Sequence, residues 1–515
     1  MNAHGTNPIN PRPSIRRITF YIIVQCEGAF IISTVNIIWF RQDLRLHDNP
    51  ALVAALQTGC ILPVYILDDE NAEQWAMGGA SRVFLHESLH RLNESLEQKL
   101  LVLKGDASKL LPKLIRETQA ARIYWNRCYE PWRIARDKKI KSELKEAGIE
   151  VETFNGSLLW EPWSVCKQDG SPYQVFTPYY RKGCLQAEPP RLPLAKPDLI
   201  LASTSSHKQF QGADAIDALE LLPSINWHSE IRSTWKMGEA AASERLDEFL
   251  QQGLEDYKEG RNFPARQNVS RLSPHLHFGE ISPNTVWHRA KTMLSEASVE
   301  SDLDCFLSEI AWREFSYYLL YHKPQLPHEP IQAKFQYFPW EQSPALLKAW
   351  QQGKTGYPLV DAGMRELWRT GYMHNRVRMV VGSFLVKNLL IHWREGEQWF
   401  WDCLIDADLA SNSASWQWIA GCGADAAPYF RVFNPVTQSK KFDADGEYIK
   451  RFVPELKQLP AKYLHAPSEA PAHILQEAGI VLGKDYPMPI VDLKPSRERA
   501  LAAFKSLSAD SLLQG

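Results

Sequence analysis

The chain has 515 residues, 44% hydrophobic and 23% charged, which excludes a disordered chain and, at roughly 150 residues per domain, implies two large domains or three. Lys and Arg total 58 against 60 Asp and Glu, a net charge of -2, so any nucleic-acid contact must use a local basic patch. No run approaches about 20 apolar residues, which excludes a membrane-spanning helix, and eight scattered Cys without a CxxC pair exclude a zinc ribbon and point to reduced thiols in the cytoplasm.

Residues 1–34 stand apart. Arg12, Arg16 and Arg17 precede the apolar run Ile18–Val24, a weak likeness of a signal peptide. Gln25 and Glu27 interrupt it and no small-residue cleavage site follows. The segment is read as an N-terminal extension, disordered or the product of a misplaced start codon. Strands are then expected at Val35–Phe40, Cys60–Leu67, Leu100–Lys104, Arg122–Trp125 and Glu150–Phe154, with helices between them such as Arg82–Gln98 and Arg133–Ala147. This alternation predicts an α/β domain over 35–167, a five-stranded parallel sheet with helices on both faces. The first strand runs into Arg41-Gln42-Asp43-Leu44-Arg45-Leu46-His47-Asp48 without a GxGxxG, so a conventional dinucleotide site is not expected there. Pro189, Pro190, Pro193 and Pro197, followed by Ser203, Ser205 and Ser206, mark 168–240 as a connector with little regular core. Residues 241–495 are helical in pattern and dense in Trp, Arg and Tyr, and 496–515 are read as a C-terminal tail.

Three helical faces stand out. Glu309, Trp312, Arg313 and Ser316 follow i, i+3, i+4, i+7, as do Asn375, Arg378, Met379 and Gly382, while Asp408, Asn412 and Trp416 are spaced by four. One such face suits an interhelical salt bridge; three together predict a lined cavity. Val269-Ser270-Arg271-Leu272-Ser273-Pro274 opens a helix with hydroxyls beside an Arg, a pattern suited to phosphate. Lys258, Arg261, Arg266, Arg376 and Arg378 are candidates for a basic rim along a nucleic-acid backbone. His275 and His277 lack the further ligands of a metal site and are read as packed or capping residues. Asp443-Ala444-Asp445-Gly446-Glu447 fails the calcium-loop spacing and is read as a turn.

Several longer motifs carry a resemblance. Trp39-Phe40-Arg41-Gln42-Asp43-Leu44-Arg45-Leu46-His47-Asp48 resembles the opening motif of the photolyase/cryptochrome family. Lys354-Thr355-Gly356-Tyr357-Pro358, Asp361-Ala362, Met373-His374-Asn375-Arg376, Asp425-Ala426-Ala427-Pro428-Tyr429-Phe430-Arg431 and Phe433-Asn434-Pro435 resemble it equally, over about 35–495, and look closest to class I cyclobutane pyrimidine dimer photolyases. The resemblance implies an all-α C-terminal domain holding FAD in a folded form. By motif, the FAD contacts are Tyr257, Val269, Ser270, Arg271, Leu272, Ser273, Arg313, Arg378, Asp406, Asp408 and Asn412, with Asp406 paired to Arg378 and Asn412 facing flavin N5. The implied function is light-driven repair of pyrimidine dimers flipped out of UV-damaged DNA by electron transfer from photoexcited reduced FAD. The implied pocket comprises Glu309, Trp312, Asn375, Arg376, Met379 and Trp418, with Trp312 and Trp418 as planes, Glu309 on the base edge, and Arg261 and Arg376 on phosphates. Trp416, Trp393 and Trp340 form the implied chain that reduces photoexcited flavin. Methenyltetrahydrofolate is the expected antenna chromophore, with deazaflavin or FMN as alternatives; Glu130 in Tyr129-Glu130 is its expected contact, with Trp125 and Trp160 as stacking planes.

The competing function is a cryptochrome, a flavin blue-light receptor signalling through a partner. Asn at 412, where plant-type signalling members carry Asp, the intact Glu309, Trp312 and Met379 set, and the short chain after 495 all favour repair. Met373-His374-Asn375-Arg376 lacks the His pair of six-four photolyases, and Cys305, Cys403 and Cys422 do not supply an iron–sulfur pattern. A nicotinamide-dependent flavin enzyme would need a second dinucleotide site, which is not seen. The protein is expected to act as a monomer in the cytoplasm, without a membrane.

Overall fold

The computed structural model describes residues 22–26, 29–202, 210–295, 299–425 and 430–513. Ala426–Tyr429 of the Asp425–Arg431 motif, and Ser203, Ser205 and Ser206, fall outside them. Strands β1 (Ile22–Cys26) and β2 (Ala29–Ser33) pair antiparallel, so the segment expected to be disordered contributes a two-stranded ribbon among the described residues.

The second sheet is fully parallel. Its strands are β3 (Val35–Phe40), β4 (Cys60–Leu67), β5 (Leu101–Lys104), β6 (Arg122–Asn126) and β7 (Glu150–Phe154), in the order β5-β4-β3-β6-β7. Val35 lies opposite Cys60, and Asn36 opposite Arg122. Every residue of β3 and β4 is buried, because helices cover both faces of a parallel sheet and leave no side for water. The covering helices are α1 (Pro50–Gln57), α2 (Gly79–Ser95), α3 (Ala107–Thr118) and α4 (Pro131–Glu146). Asn49 caps α1 by accepting from the Leu52 N–H at 3.1 Å, with Pro50 preset at its first turn. The chain order reverses at β3, so the carboxyl ends of β3 and β6 open a crevice between them.

The C-terminal half is all-helical. The helices Glu300–His322, Pro358–Thr370, Asn375–Ser383, Trp393–Cys403 and Leu409–Ala420 enclose its core. Leu493–Leu513 is one helix that packs Ala500 and Phe504 into this core, with Phe504 stacked on Phe430 at 4.7 Å. The boundary expected at 495 therefore does not mark a tail. The connector also differs from expectation: Phe176, Tyr179, Tyr180, Ile216, Leu221 and Trp235 are all buried. It is low in regular structure because it follows the surfaces of both halves, and its aromatics anchor it to them.

Two buried side chains join the halves. Arg45 donates to the carbonyls of Gly156 at 2.6 Å and Gly279 at 2.9 Å. Glu314, in the Glu300–His322 helix, accepts from the N–H groups of Leu159 at 2.8 Å and Trp160 at 3.2 Å. Burial pushes Glu314 up to about 7, against the pull of Arg313 and those two N–H groups. The folded carboxyl thus titrates well above its ordinary 4.5. Its contribution to stability is complete below that ordinary value and is lost as pH rises through about 7. Glu314→Gln keeps the acceptor and removes the proton. Thermal denaturation from pH 5 to 8 should show a shallower fall for the variant than for the parent; parallel profiles would exclude Glu314 as the source.

Candidate active site

A cavity of about 490 Å³ opens among the C-terminal helices. Each predicted helical face meets it. Glu309, Trp312, Arg313 and Ser316 line it from Glu300–His322, and Asn375, Arg378, Met379 and Gly382 from Asn375–Ser383. Asn412 and Trp416 line it from Leu409–Ala420, where Trp418 joins them. The third member of that face, Asp408, does not. It caps its helix by accepting from the Ser411 N–H at 2.7 Å, and it takes a hydrogen bond from the Tyr317 hydroxyl. His277, Arg313 and Tyr317 overcome the penalty of burial and hold its carboxylate below the usual range.

One ion pair fixes the cavity floor. Arg378 donates to both carboxylate oxygens of Asp406, at 3.1 and 2.9 Å, and Ser273 donates to the same group at 2.6 Å. Burial works against the Arg378 charge, but Asp406 outweighs it and holds the guanidinium above its ordinary value. Asn412 donates its amide N–H to the Glu397 carbonyl at 3.0 Å, which leaves its Oδ1 as the acceptor at the cavity. Glu397 is fully buried and burial pushes it up to about 8, against the Ser413 hydroxyl bonded to it.

The Val269–Ser273 loop meets the cavity only through Ser273. The carbonyls of Val269 and Ser270 are held by Arg245 at 3.3 and 2.9 Å, and Leu272 is buried in the core. Arg271 has a positive φ of 53° and lies over the rings of Trp235 and Tyr372. Tyr257 packs on Phe249 and Phe306. Val269, Ser270, Arg271, Leu272 and Tyr257, expected as FAD contacts, thus stand beside Ser273 and do not themselves line this cavity. His275 bonds Glu280 at 2.5 Å, and Asp443 accepts from the Tyr448 and Ile449 N–H groups at 3.0 Å.

At the mouth, Glu309 is ion-paired to Arg261. Arg261, expected on a phosphate, thus spends its charge on the cavity wall. Arg376 bonds Asn262 and lies over Phe442, at 4.6 Å from the ring centre, and does not line the cavity. Trp312 has one face covered by Phe176, stacked at 3.8 Å and 11°, so only the other face is available to a ligand. Trp418 donates to the Asp425 carbonyl at 3.2 Å. Two caps were not foreseen: His374 and His392 each accept the N–H two residues on, at 3.2 and 3.1 Å. Burial lowers their pKa values to about 3 and about 4, with Arg376 and Arg394 adding to the shifts, so both stay neutral acceptors. Phe176, Glu397 and Tyr372 likewise carry no local motif; only their tertiary neighbours mark them.

Trp416 is buried and touches Phe400 at 5.0 Å and Trp350 at 6.3 Å. A Cβ on Gly396 would lie 2.1 Å from its ring, so the indole rests directly on the Trp393–Cys403 helix. Trp393, three residues from Gly396, shares that face. His392 lies 5.5 Å from Trp393 and 5.0 Å from the half-buried Trp340. Of the three expected members of the electron chain, Trp416 lines the cavity, Trp393 is buried and Trp340 is half-buried.

The crevice at the sheet's carboxyl edge holds about 50 Å³ and is lined by Trp39, Arg41, Asp68, Glu130, Trp132 and Arg136, among others. Glu130 pairs with Arg133 at 3.3 Å. Trp125 meets Trp39 edge to face and Trp160 meets Trp287 in the same way, and neither lines the crevice.

Residues 36–198 match the family model described as DNA photolyase, and 306–506 match the model described as FAD binding domain of DNA photolyase. A deoxyribodipyrimidine photo-lyase of Agrobacterium fabrum is 47% identical, over 92% of this chain and 98% of its own. Cryptochrome-2 of Arabidopsis thaliana is 38% identical over 93% of this chain and 80% of its own. A crystal structure described as a bacterial class III photolyase from Agrobacterium tumefaciens superposes with a TM-score of 0.88 at 45% identity, covering 94% of this chain and all of that one. With the α/β sheet, the helical half and the cavity agreeing with these likenesses, the chain belongs to the photolyase/cryptochrome family.

Proposed function

We propose that this protein is a deoxyribodipyrimidine photo-lyase, a carbon–carbon lyase that uses light and bound FAD to split cyclobutane pyrimidine dimers in DNA. The observation that carries the reading is that one cavity holds both halves of the chemistry. Arg378, Asp406, Ser273 and Asn412 line it together with Glu309, Trp312, Met379 and Trp418. The first set fits a flavin: a guanidinium for the charge of its reduced form and an amide oxygen, without a partner among the described residues, for a ring N–H. When bound, FAD supplies the light-absorbing electron donor. The chain supplies the rest. Arg378 neutralises charge, Asn412 orients the ring system, and the surrounding helices exclude water.

Glu309 has one oxygen engaged by Arg261 and the other available to the edge of an extruded pyrimidine. Trp312 offers one ring face and Trp418 a second plane beside it. Asn375 and Arg376 stand at the rim, suited to the phosphates that position the lesion. Trp416, Trp393 and Trp340 serve as the path for electrons entering from the surface. DNA carrying pyrimidine dimers is thus the partner, met by a monomer in the cytoplasm. Within the family, the 45% identity to a structure described as class III supports that class over the class I reading of the motifs. The antenna is assigned to the crevice at Glu130, with methenyltetrahydrofolate the leading chromophore. At about 50 Å³ that crevice is smaller than a pterin, so binding one requires lining side chains to move. The signalling alternative draws on the plant cryptochrome likeness; Asn412 and the complete pocket set support repair.

The decisive measurement is the quantum yield of splitting on a thymine-dimer oligonucleotide with pre-reduced protein. The parent should repair; a parent that leaves the dimer intact would establish the signalling reading. Glu309→Ala should retain FAD and lose a large share of repair per photon at saturating substrate, where removal of one such polar contact costs about 3 kcal/mol in a thermal reaction. A yield equal to the parent's would displace Glu309 from the substrate. Trp416→Phe should slow photoreduction of oxidised flavin by orders of magnitude while pre-reduced protein repairs normally. Equal loss of both activities would refute the electron path. Arg376→Ala should reduce the log–log salt dependence of binding to damaged duplex by about 0.9, one phosphate contact. An unchanged slope would mean that Arg376 does not contact the backbone.

A further inference from the structure

Outside the cavity, one cluster among the described residues has the donor set of a metal site. His86 and His90 stand one turn apart on α2, their rings 4.6 Å apart and nearly perpendicular. Asp217 ends the short helix Ala213–Asp217 in the connector and faces both. Its Oδ1 lies 3.1 Å from His90 Nε2 and 3.6 Å from His86 Nε2, and the three donor atoms fall within 4.8 Å of one another. Ligands bonded at about 2.0–2.2 Å to a tetrahedral zinc are separated by comparable distances.

A second observation concerns His86 itself. It is only 8% exposed and turns its Nε2 toward a second imidazole and a carboxylate. Nearby, Glu87 and Arg232 neutralise one another at 2.7 Å and add no net charge. Asp217 is 59% exposed, which leaves room for a water as fourth ligand.

We propose that His86, His90 and Asp217 bind one divalent transition-metal ion, zinc by ligand type, that ties the connector to α2. The tie bears on the catalytic half. At its start, α2 donates from the Gly79 N–H to Asp402 at 2.8 Å and from the Ser81 hydroxyl to the Leu404 carbonyl at 2.9 Å, beside the cavity wall. A metal here stiffens the joint between the halves without touching the cavity.

The test uses the untagged, FAD-loaded full chain. Titration with Zn²⁺ should show one saturable site and a rise in Tm, and Co²⁺ should give a visible spectrum of tetrahedral type without thiolate charge transfer. His90→Ala and Asp217→Asn each alter an accessible side chain and should fold. Each should weaken Zn²⁺ binding by roughly 100-fold and abolish the Tm rise, while FAD content and dimer repair stay at parental levels. Absence of saturable binding, a thiolate spectrum, or binding that survives both substitutions would each overturn the proposal.

Discussion

The cavity depends on the pair between the partly exposed Arg378 and the buried Asp406. Three separate parts of the chain meet there: the Asn375–Ser383 helix, the segment before Leu409–Ala420, and the Ser273 turn. Such a pair is a poor source of net stability, since desolvation cancels much of its Coulomb energy. Its value lies in specificity: removing Arg378 would leave the buried Asp406 carboxylate without its charge partner. The pair therefore fixes one arrangement of three elements around a site that a ligand can enter, and it leaves a cation where a reduced flavin carries charge.

The groups around that pair extend the same electrostatics. Glu397, pushed up to about 8, stands behind Asn412 without placing a full negative charge there at neutral pH. His374 and His392 cap their helices as neutral acceptors, so two helix starts near the site add no cation to those of Arg261, Arg376 and Arg378. Arg261 is matched by Glu309. The remaining cations of the site are Arg313 and Arg378 in the cavity lining, with Arg376 close by on the helix that carries Arg378.

The joint between the halves uses backbone more than side-chain partners. Arg45 and Glu314 each reach carbonyls or N–H groups of the opposite half. This tolerates sequence change on the receiving side, because every residue offers the same backbone groups. The connector exploits the joint: Phe176 crosses from it to cover one face of Trp312. A segment with little regular structure thereby decides how much of a pocket aromatic is available to substrate.

The parallel sheet was legible in the sequence because two-sided burial leaves uninterrupted apolar runs, and Val35–Phe40 and Cys60–Leu67 occur as expected. The three helical faces were legible because 3.6-residue periodicity places Glu309 with Arg313 and Asn375 with Arg378 whatever surrounds them. Long motifs supplied the family. Tertiary structure alone decided which polar group on a face turns inward: Asp408 shares a face with Asn412 but is drawn away by Tyr317 and His277. It alone sent Leu272 into the core and Arg271 onto aromatic rings. It alone joined Phe176 to Trp312 and Asp217 to His86 and His90. Spacing along a chain fixes direction around one helix axis, whereas a partner far away in sequence is chosen by packing, which no local pattern encodes.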